Sequence, residues 1–113
     1  MKIEYYSFGT IKIDGKTYTS DVIIYPDRVD SSWWRKHGHA LNIVDLKDVI
    51  PADPEILVVG TGYSGAMVVP EETLSYLKSK GIDVHIARTD KAVLLFNRFQ
   101  EDKKTIAALH LTC

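Results

Sequence analysis

Cysteine is almost missing from this chain. The one thiol is Cys113, which excludes an intrachain disulfide and any zinc site built from the cysteines of a single chain. An excess of charge is missing too: 14 Lys and Arg face 15 Asp and Glu, a formal net charge of -1. The field that draws nucleic acid or an anionic membrane surface to a basic protein is therefore absent, and no nucleic-acid partner is expected. No apolar run exceeds the length of a strand. Ala92–Phe96 is among the longest, far below the ~18 residues that suggest a membrane span. Glu4 interrupts the apolar start, and the N-terminus shows neither the charged-then-apolar layout of a secretion signal nor the Arg-rich amphipathic character of an organelle presequence. No internal repeat or low-complexity linker divides the sequence. These absences predict a soluble, untargeted, cytoplasmic chain forming one domain over residues 1–113, with no membrane partner.

What is present is an ordinary globular balance, 45% hydrophobic and 26% charged, sufficient for one core. The first quarter alternates polar and apolar residues around Asp14-Gly15, a pair that tolerates the positive φ of a two-residue hairpin loop. An antiparallel β unit is expected over residues 3–26. Pro26–Ser32 is rich in turn formers and leads into Trp33–His39, which has neither helical nor strand period and reads as a structured loop. Val44–Ile50, stopped by Pro51, has room for about two helical turns.

From residue 55 the pattern becomes strand, helix, strand, helix, strand. Ile56–Val59 is an apolar run of strand length. A helix is expected from about Pro70 to Lys80, ending at Gly81, because Glu71 and Glu72 in its first turn and Lys78 and Lys80 in its last suit the helix dipole. Val84–Ala87 is the next strand. Thr89-Asp90 then opens a helix carrying Ala92, Leu95, Phe96 and Phe99 on one stripe, and Ile106–Leu111 closes as a strand. Strands alternating with helices imply βαβ crossovers and a parallel sheet. The expected class is α/β, with an N-terminal antiparallel β unit against a C-terminal parallel βαβαβ unit.

Gly60-x-Gly62-x-x-Gly65 directly follows the apolar strand at 56–59, as in a dinucleotide fingerprint. That fingerprint needs a helix that begins within the glycines, yet Pro70 is most comfortable at a helix start, which leaves Ala66–Val69 as connection. Glu71 and Glu72 would also repel a pyrophosphate from the helix end. Asp90 and Arg88 stand near the place of a ribose or 2′-phosphate partner, but two helices and three strands make barely one mononucleotide-binding half. A tight turn is the preferred reading, and no cofactor is expected.

The same segment invites a second comparison. Gly62-Tyr63-Ser64-Gly65-Ala66 imitates a nucleophile elbow, with Asp90 and His110 following in Ser, Asp, His order. The elbow requires a helix immediately after the serine and a larger sheet, and Ala66 replaces its second glycine, so a serine hydrolase is disfavoured.

In open α/β sheets ligands bind beyond the carboxyl ends of parallel strands. Two such ends are expected here, the Gly60–Gly65 turn and Arg88-Thr89-Asp90-Lys91, which share a rim if their strands are neighbours. Gly60, Gly62, Tyr63, Ser64, Arg88, Thr89 and Asp90 are therefore the candidate ligand-binding residues, suited to a small anion or a partner's acidic side chain. His37 and His39 share a face in an extended segment but have no third ligand at a suitable spacing, so no metal is expected. Trp33 and Trp34 are adjacent and amphipathic, so one is expected to pack on the sheet and the other to cover a loop or meet a partner. Trp33, Trp34 and His37 are the candidate partner-binding residues. Glu101–Lys104 reads as a solvated turn at a helix end.

The order of "GTIKIDGKTYTSDVIIYP", "WWRKHGHAL", "ILVVGTG", "RTDKAVLLFNRF" and "IAALHLTC" resembles, over nearly the whole chain, a family of small α/β domains. That family includes the adipogenesis-associated domain protein, the mitochondrial complex I assembly factor 3 and many short archaeal and bacterial members. The Gly60-Thr61-Gly62 turn, Thr89, Ala92 and Asn97 match its pattern. The resemblance implies a three-layer β+β/α fold and brings no catalytic residue. It also implies roles through protein contacts rather than turnover. Glu101–Lys104 stands where the eukaryotic branch is expected to carry a glycine-arginine turn, which points to a prokaryotic member. Two functions are thus expected in order of preference: a non-enzymatic interaction or assembly domain, with a protein partner or self-association, and a small-anion-binding module or enzyme using the rim at Gly60–Gly65 and Arg88.

Overall fold

The computed structural model describes residues 1–113. Three short strands, β1 (Ile3–Ser7), β2 (Thr10–Ile13) and β3 (Lys16–Tyr18), form an antiparallel sheet in chain order. Asp14 and Gly15 turn β2 into β3 with φ of 47° and 83°, as the hairpin signal requires. The remaining strands are β4 (Val22–Ile24), β5 (Val29–Asp30), β6 (Ile56–Thr61), β7 (Asp83–Ala87) and β8 (Thr105–His110). They make a second, five-stranded sheet in the order β5-β4-β8-β6-β7. Its centre is parallel, with β6 between β7 and β8, while β4 runs antiparallel to β8. Helix α1 (Glu71–Ser79) joins β6 to β7, and α2 (Thr89–Phe99) joins β7 to β8.

The parallel βαβαβ unit and the hairpin follow the sequence pattern, but two boundaries differ. Residues 22–24 leave the N-terminal unit and pair with β8, because Val22, Ile23 and Ile24 are all buried and need covering on both faces. The stretch after Ala40 makes only a 3-10 turn, Ile43–Leu46, followed by further turns. Pro70 lies just before α1 with φ -58° and ψ 149°, and Gly81 follows the helix with φ 77°.

The larger sheet is the middle layer, and strand alternation divides the core. Ile24, Ile56, Val58, Ala107 and Leu109 face one side, where Ala92, Val93 and Phe96 of α2 and Ile3, Ile11 and Ile13 of the small sheet cover them. Ile23, Leu57, Val59, Ile106 and Ala108 face the other, packed with Leu77 of α1 and with Leu41, Leu46, Val49 and Met67 from connecting segments. Thus the loop around Trp33 is one wall of a buried layer. No helix is long and apolar enough to cross a membrane.

Candidate functional site

Because Gly60 stands opposite Ala87 in the parallel β6–β7 pair, the two expected rim loops do meet. Their contact is internal. The Gly62 N–H donates to the Thr89 hydroxyl at 2.9 Å, that hydroxyl donates to the His110 carbonyl at 2.6 Å, and the Thr89 N–H donates to the Gly62 carbonyl at 3.1 Å. Thr89 is fully buried. A Cβ on Gly60 would stand 2.7 Å from the Thr89 hydroxyl oxygen and 2.8 Å from a Leu109 methyl, so this glycine permits the close approach of α2 and β8.

Residues 112 and 113 fill the expected crevice. The Tyr63 N–H donates to the Thr112 carbonyl at 2.7 Å, while the Ala66 N–H and the Ser64 hydroxyl donate to a Cys113 oxygen at 2.9 and 2.6 Å. At Gly62, with φ 107°, an added Cβ would lie 2.5 Å from the Cys113 carbonyl carbon. The motif therefore cradles backbone of its own chain. Arg88 lies across Gly65 and faces Asp90 at 3.5 Å, both more than half exposed. None of the five surface cavities is lined by Gly60–Gly65 or Arg88, and Asp90 lines one beside β1 instead. The structure does not assemble Ser64, Asp90 and His110, because Ser64 is bonded to Cys113 and His110 turns to another carboxylate.

That carboxylate belongs to Asp21, just before β4. Its Oδ2 lies 2.8 Å from His110 Nδ1 and 2.7 Å from Arg35 Nη1, and its Oδ1 accepts the Leu111 N–H at 2.7 Å. Arg35 Nη2 also donates to the Gly38 carbonyl at 2.8 Å. Burial by itself would raise the Asp21 carboxyl, but hydrogen bonds from His110, Leu111 and Arg35 outweigh it and hold the group at about 2. The Arg35 and His110 side chains are 6% and 7% exposed, and Arg35 Nε and His110 Nε2 have no partner. The cluster spans the expected ligand end of the sheet, where His110 pairs with Thr61, yet it is closed over by the loop that carries Arg35. Neither Asp21 nor Arg35 was singled out by sequence pattern. A signal existed: Asp21 directly precedes one apolar run and His110 interrupts another, and a polar side chain inside a buried strand requires a partner.

The loop that carries Arg35 also carries Trp33 and Trp34. Trp33 packs on the α1-side core and donates Nε1–H to the Asp45 carbonyl at 3.0 Å, with Arg35 over its ring at 4.8 Å. Asp45 accepts the Lys36 and Asn42 N–H groups at 2.9 and 2.8 Å, which closes the loop on itself. The Leu41 N–H donates to Val68 and the Val68 N–H to His39, both at 2.9 Å. Trp34, one residue on from the anchored Trp33, points outward and is 75% exposed. Val44, 56% exposed, lies beside it and lines two cavities of about 290 and 300 Å³; the first includes Trp33 and Trp34, the second His37 and Glu72. His39 does not pair with His37 but sets its ring against His110, centroids 5.8 Å apart. No three His, Cys, Asp or Glu side chains converge as a metal set.

A family model described as "Protein of unknown function (DUF498/DUF598)" matches residues 3–110. Among solved structures, the chain is similar to a conserved hypothetical protein of Pyrococcus horikoshii OT3 at 30% identity, with 100% of each chain covered and a TM-score of 0.86. It is also similar to a protein described as an outer membrane protein of Bartonella henselae, at 24% identity over 98% of this chain and 94% of that one, TM-score 0.82. A Bordetella pertussis protein described as an Mth938-like domain matches at 20% identity over 97% of this chain and 85% of that one, TM-score 0.78. These last two likenesses speak for the fold alone.

Proposed function

The chain belongs to the DUF498/DUF598 family of unknown function, and on that premise we propose that it is an interaction or assembly domain whose contact surface is the loop face of Trp34, Val44 and His37. One observation carries the reading: Trp34 is held three-quarters exposed on a loop fixed on either side of it. An indole left in water forgoes on the order of 2–4 kcal/mol of burial free energy. Here the loop is not free to hide it, since Trp33 is bonded to Asp45 and Arg35 is clamped to Asp21. Rigid, exposed tryptophans are the side chains that most often anchor protein interfaces, because little entropy remains to be lost on binding.

The alternative, an anion site at Gly60–Gly65 with Arg88, has its Tyr63 and Ala66 amides occupied by Thr112 and Cys113 and its cation beside Asp90. The test compares the purified chain with Trp34→Ala and His37→Ala. A protein captured by the unmodified chain is purified and its affinity for each form measured by calorimetry. Trp34→Ala is expected to weaken binding at least about tenfold with an unchanged melting temperature. Equal affinity for Trp34→Ala would remove the proposal.

A further inference from the structure

The loop face has a chemistry that narrows the partner. The cavity of about 290 Å³ beside β4 is walled by Trp33, Trp34 and Val44, and its charged lining is Asp30, Asp45 and Asp48 against the single cation Lys47. A volume at the small end of ligand sites suits one inserted side chain better than a cofactor. We propose that this cavity is the receptor for an arginine side chain of the partner, its guanidinium lying on the Trp34 ring and bonded to the Asp48 carboxylate. The proposal rests on the interaction function assigned above to the same face.

Of the three carboxylates, Asp48 is the one with neither oxygen engaged. Both oxygens of Asp45 are used by the Lys36 and Asn42 amides, and Asp30 Oδ1 accepts the Ser32 N–H at 3.0 Å and its hydroxyl at 3.1 Å. Asp48 is exposed and has no hydrogen bond or ion pair within the chain. Its field is felt nearby: the Tyr25 hydroxyl is pushed up first by burial and next by the Asp48 charge, with Arg28 opposing the rise and Asp30 adding to it. Asp48 and Asp30 thus both bring negative charge to this corner, with Arg28 opposing them at Tyr25.

Two neighbouring aromatic rings already carry a cation of the chain. Arg28 lies over the Tyr25 ring at 4.0 Å and Arg35 over the Trp33 ring at 4.8 Å. Trp34 is the indole of this loop with no cation of its own chain upon it, and indole is the best side-chain acceptor of a cation on its face. A planar guanidinium can stack on the ring while it forks to a carboxylate, which an ammonium cannot do. An organic cation is favoured over a metal ion because the carboxylates do not converge as a metal set.

The probe is an acetylated, amidated Gly-Gly-Arg-Gly-Gly peptide titrated into the ¹⁵N-labelled chain, followed at the Trp34 indole N–H. The lysine and glutamate peptides serve as comparisons. The expected result is a saturable shift at millimolar concentration with the arginine peptide, several-fold weaker binding with lysine, and none with glutamate. Trp34→Ala and Asp48→Asn should each weaken the arginine peptide at least about fivefold, judged in the alanine variant by backbone signals of residues 44–48, whereas Asp83→Asn on the far edge of the sheet should not. No shift, an equal shift with glutamate, or undiminished binding to Asp48→Asn overturns the proposal. The protein partner separates the two claims. Loss of partner with Trp34→Ala but not with Asp48→Asn leaves the interaction surface standing and removes the arginine; loss with neither removes both.

Discussion

Asp21 and Arg35, fourteen residues apart in sequence, meet at 2.7 Å between Oδ2 and Nη1, and through that pair the strand β4 holds the loop that displays Trp34. Both side chains are largely withdrawn from water, so removing one partner leaves the other buried and uncompensated. Asp21→Asn is expected to destabilise the fold by about 2–3 kcal/mol in urea unfolding, the partial exposure of the carboxylate keeping the loss below that of a wholly buried pair.

The same carboxylate gives a pH prediction. Its folded value is about 2 against 3.8 for the free group, so the native state favours the ionised form. The stability it contributes is fully present above about pH 4 and is lost as pH falls through 2. Unfolding free energy followed from pH 5 to pH 2 should fall with a shallower slope in Asp21→Asn than in the unmodified chain; identical slopes would show that Asp21 has no role in the acid transition.

Thr89 joins the glycine turn to β8. Thr89→Val removes the acceptor of the Gly62 N–H and the donor to the His110 carbonyl in a fully buried position, so a loss of about 2–3 kcal/mol is expected, while Thr89→Ser should retain most of it. Chemical denaturation of the two variants side by side measures the difference.

Gly62→Ala is expected to cost about 2–4 kcal/mol, since it places a Cβ at positive φ and against the backbone of Cys113. Arg88→Ala, by contrast, should change stability by less than about 0.5 kcal/mol, because its ion pair with Asp90 is more than half exposed. A large effect of Arg88→Ala on the melting temperature would contradict the placement of that side chain on the surface.

These expectations mark what local pattern could reveal. The βαβαβ unit was legible because apolar runs of strand length alternate with a helical stripe and are punctuated by Pro70 and Gly81. The hairpin at Asp14-Gly15 was legible because its φ demands restrict the residue types. Which sheet receives Val22–Ile24 was not, since that depends on β8, some eighty residues away, and short buried strands look alike in any sheet. The glycine motif carried its true reason only in three dimensions: Thr89, Leu109 and Cys113 crowd Gly60 and Gly62 from distant parts of the chain. Trp33 and Trp34 were legible as an inward and outward pair, but the clamp that fixes them, Asp21 with Arg35 and His110, has no sequence spacing to read.

The exposed indole is where the account is most open to refutation. Calorimetric titration of a purified protein partner into the chain and into Trp34→Ala, with melting temperatures recorded for both, tests it most directly. The account predicts at least a tenfold loss of affinity in a variant that melts as the unmodified chain does. Unchanged affinity in a folded Trp34→Ala would contradict it.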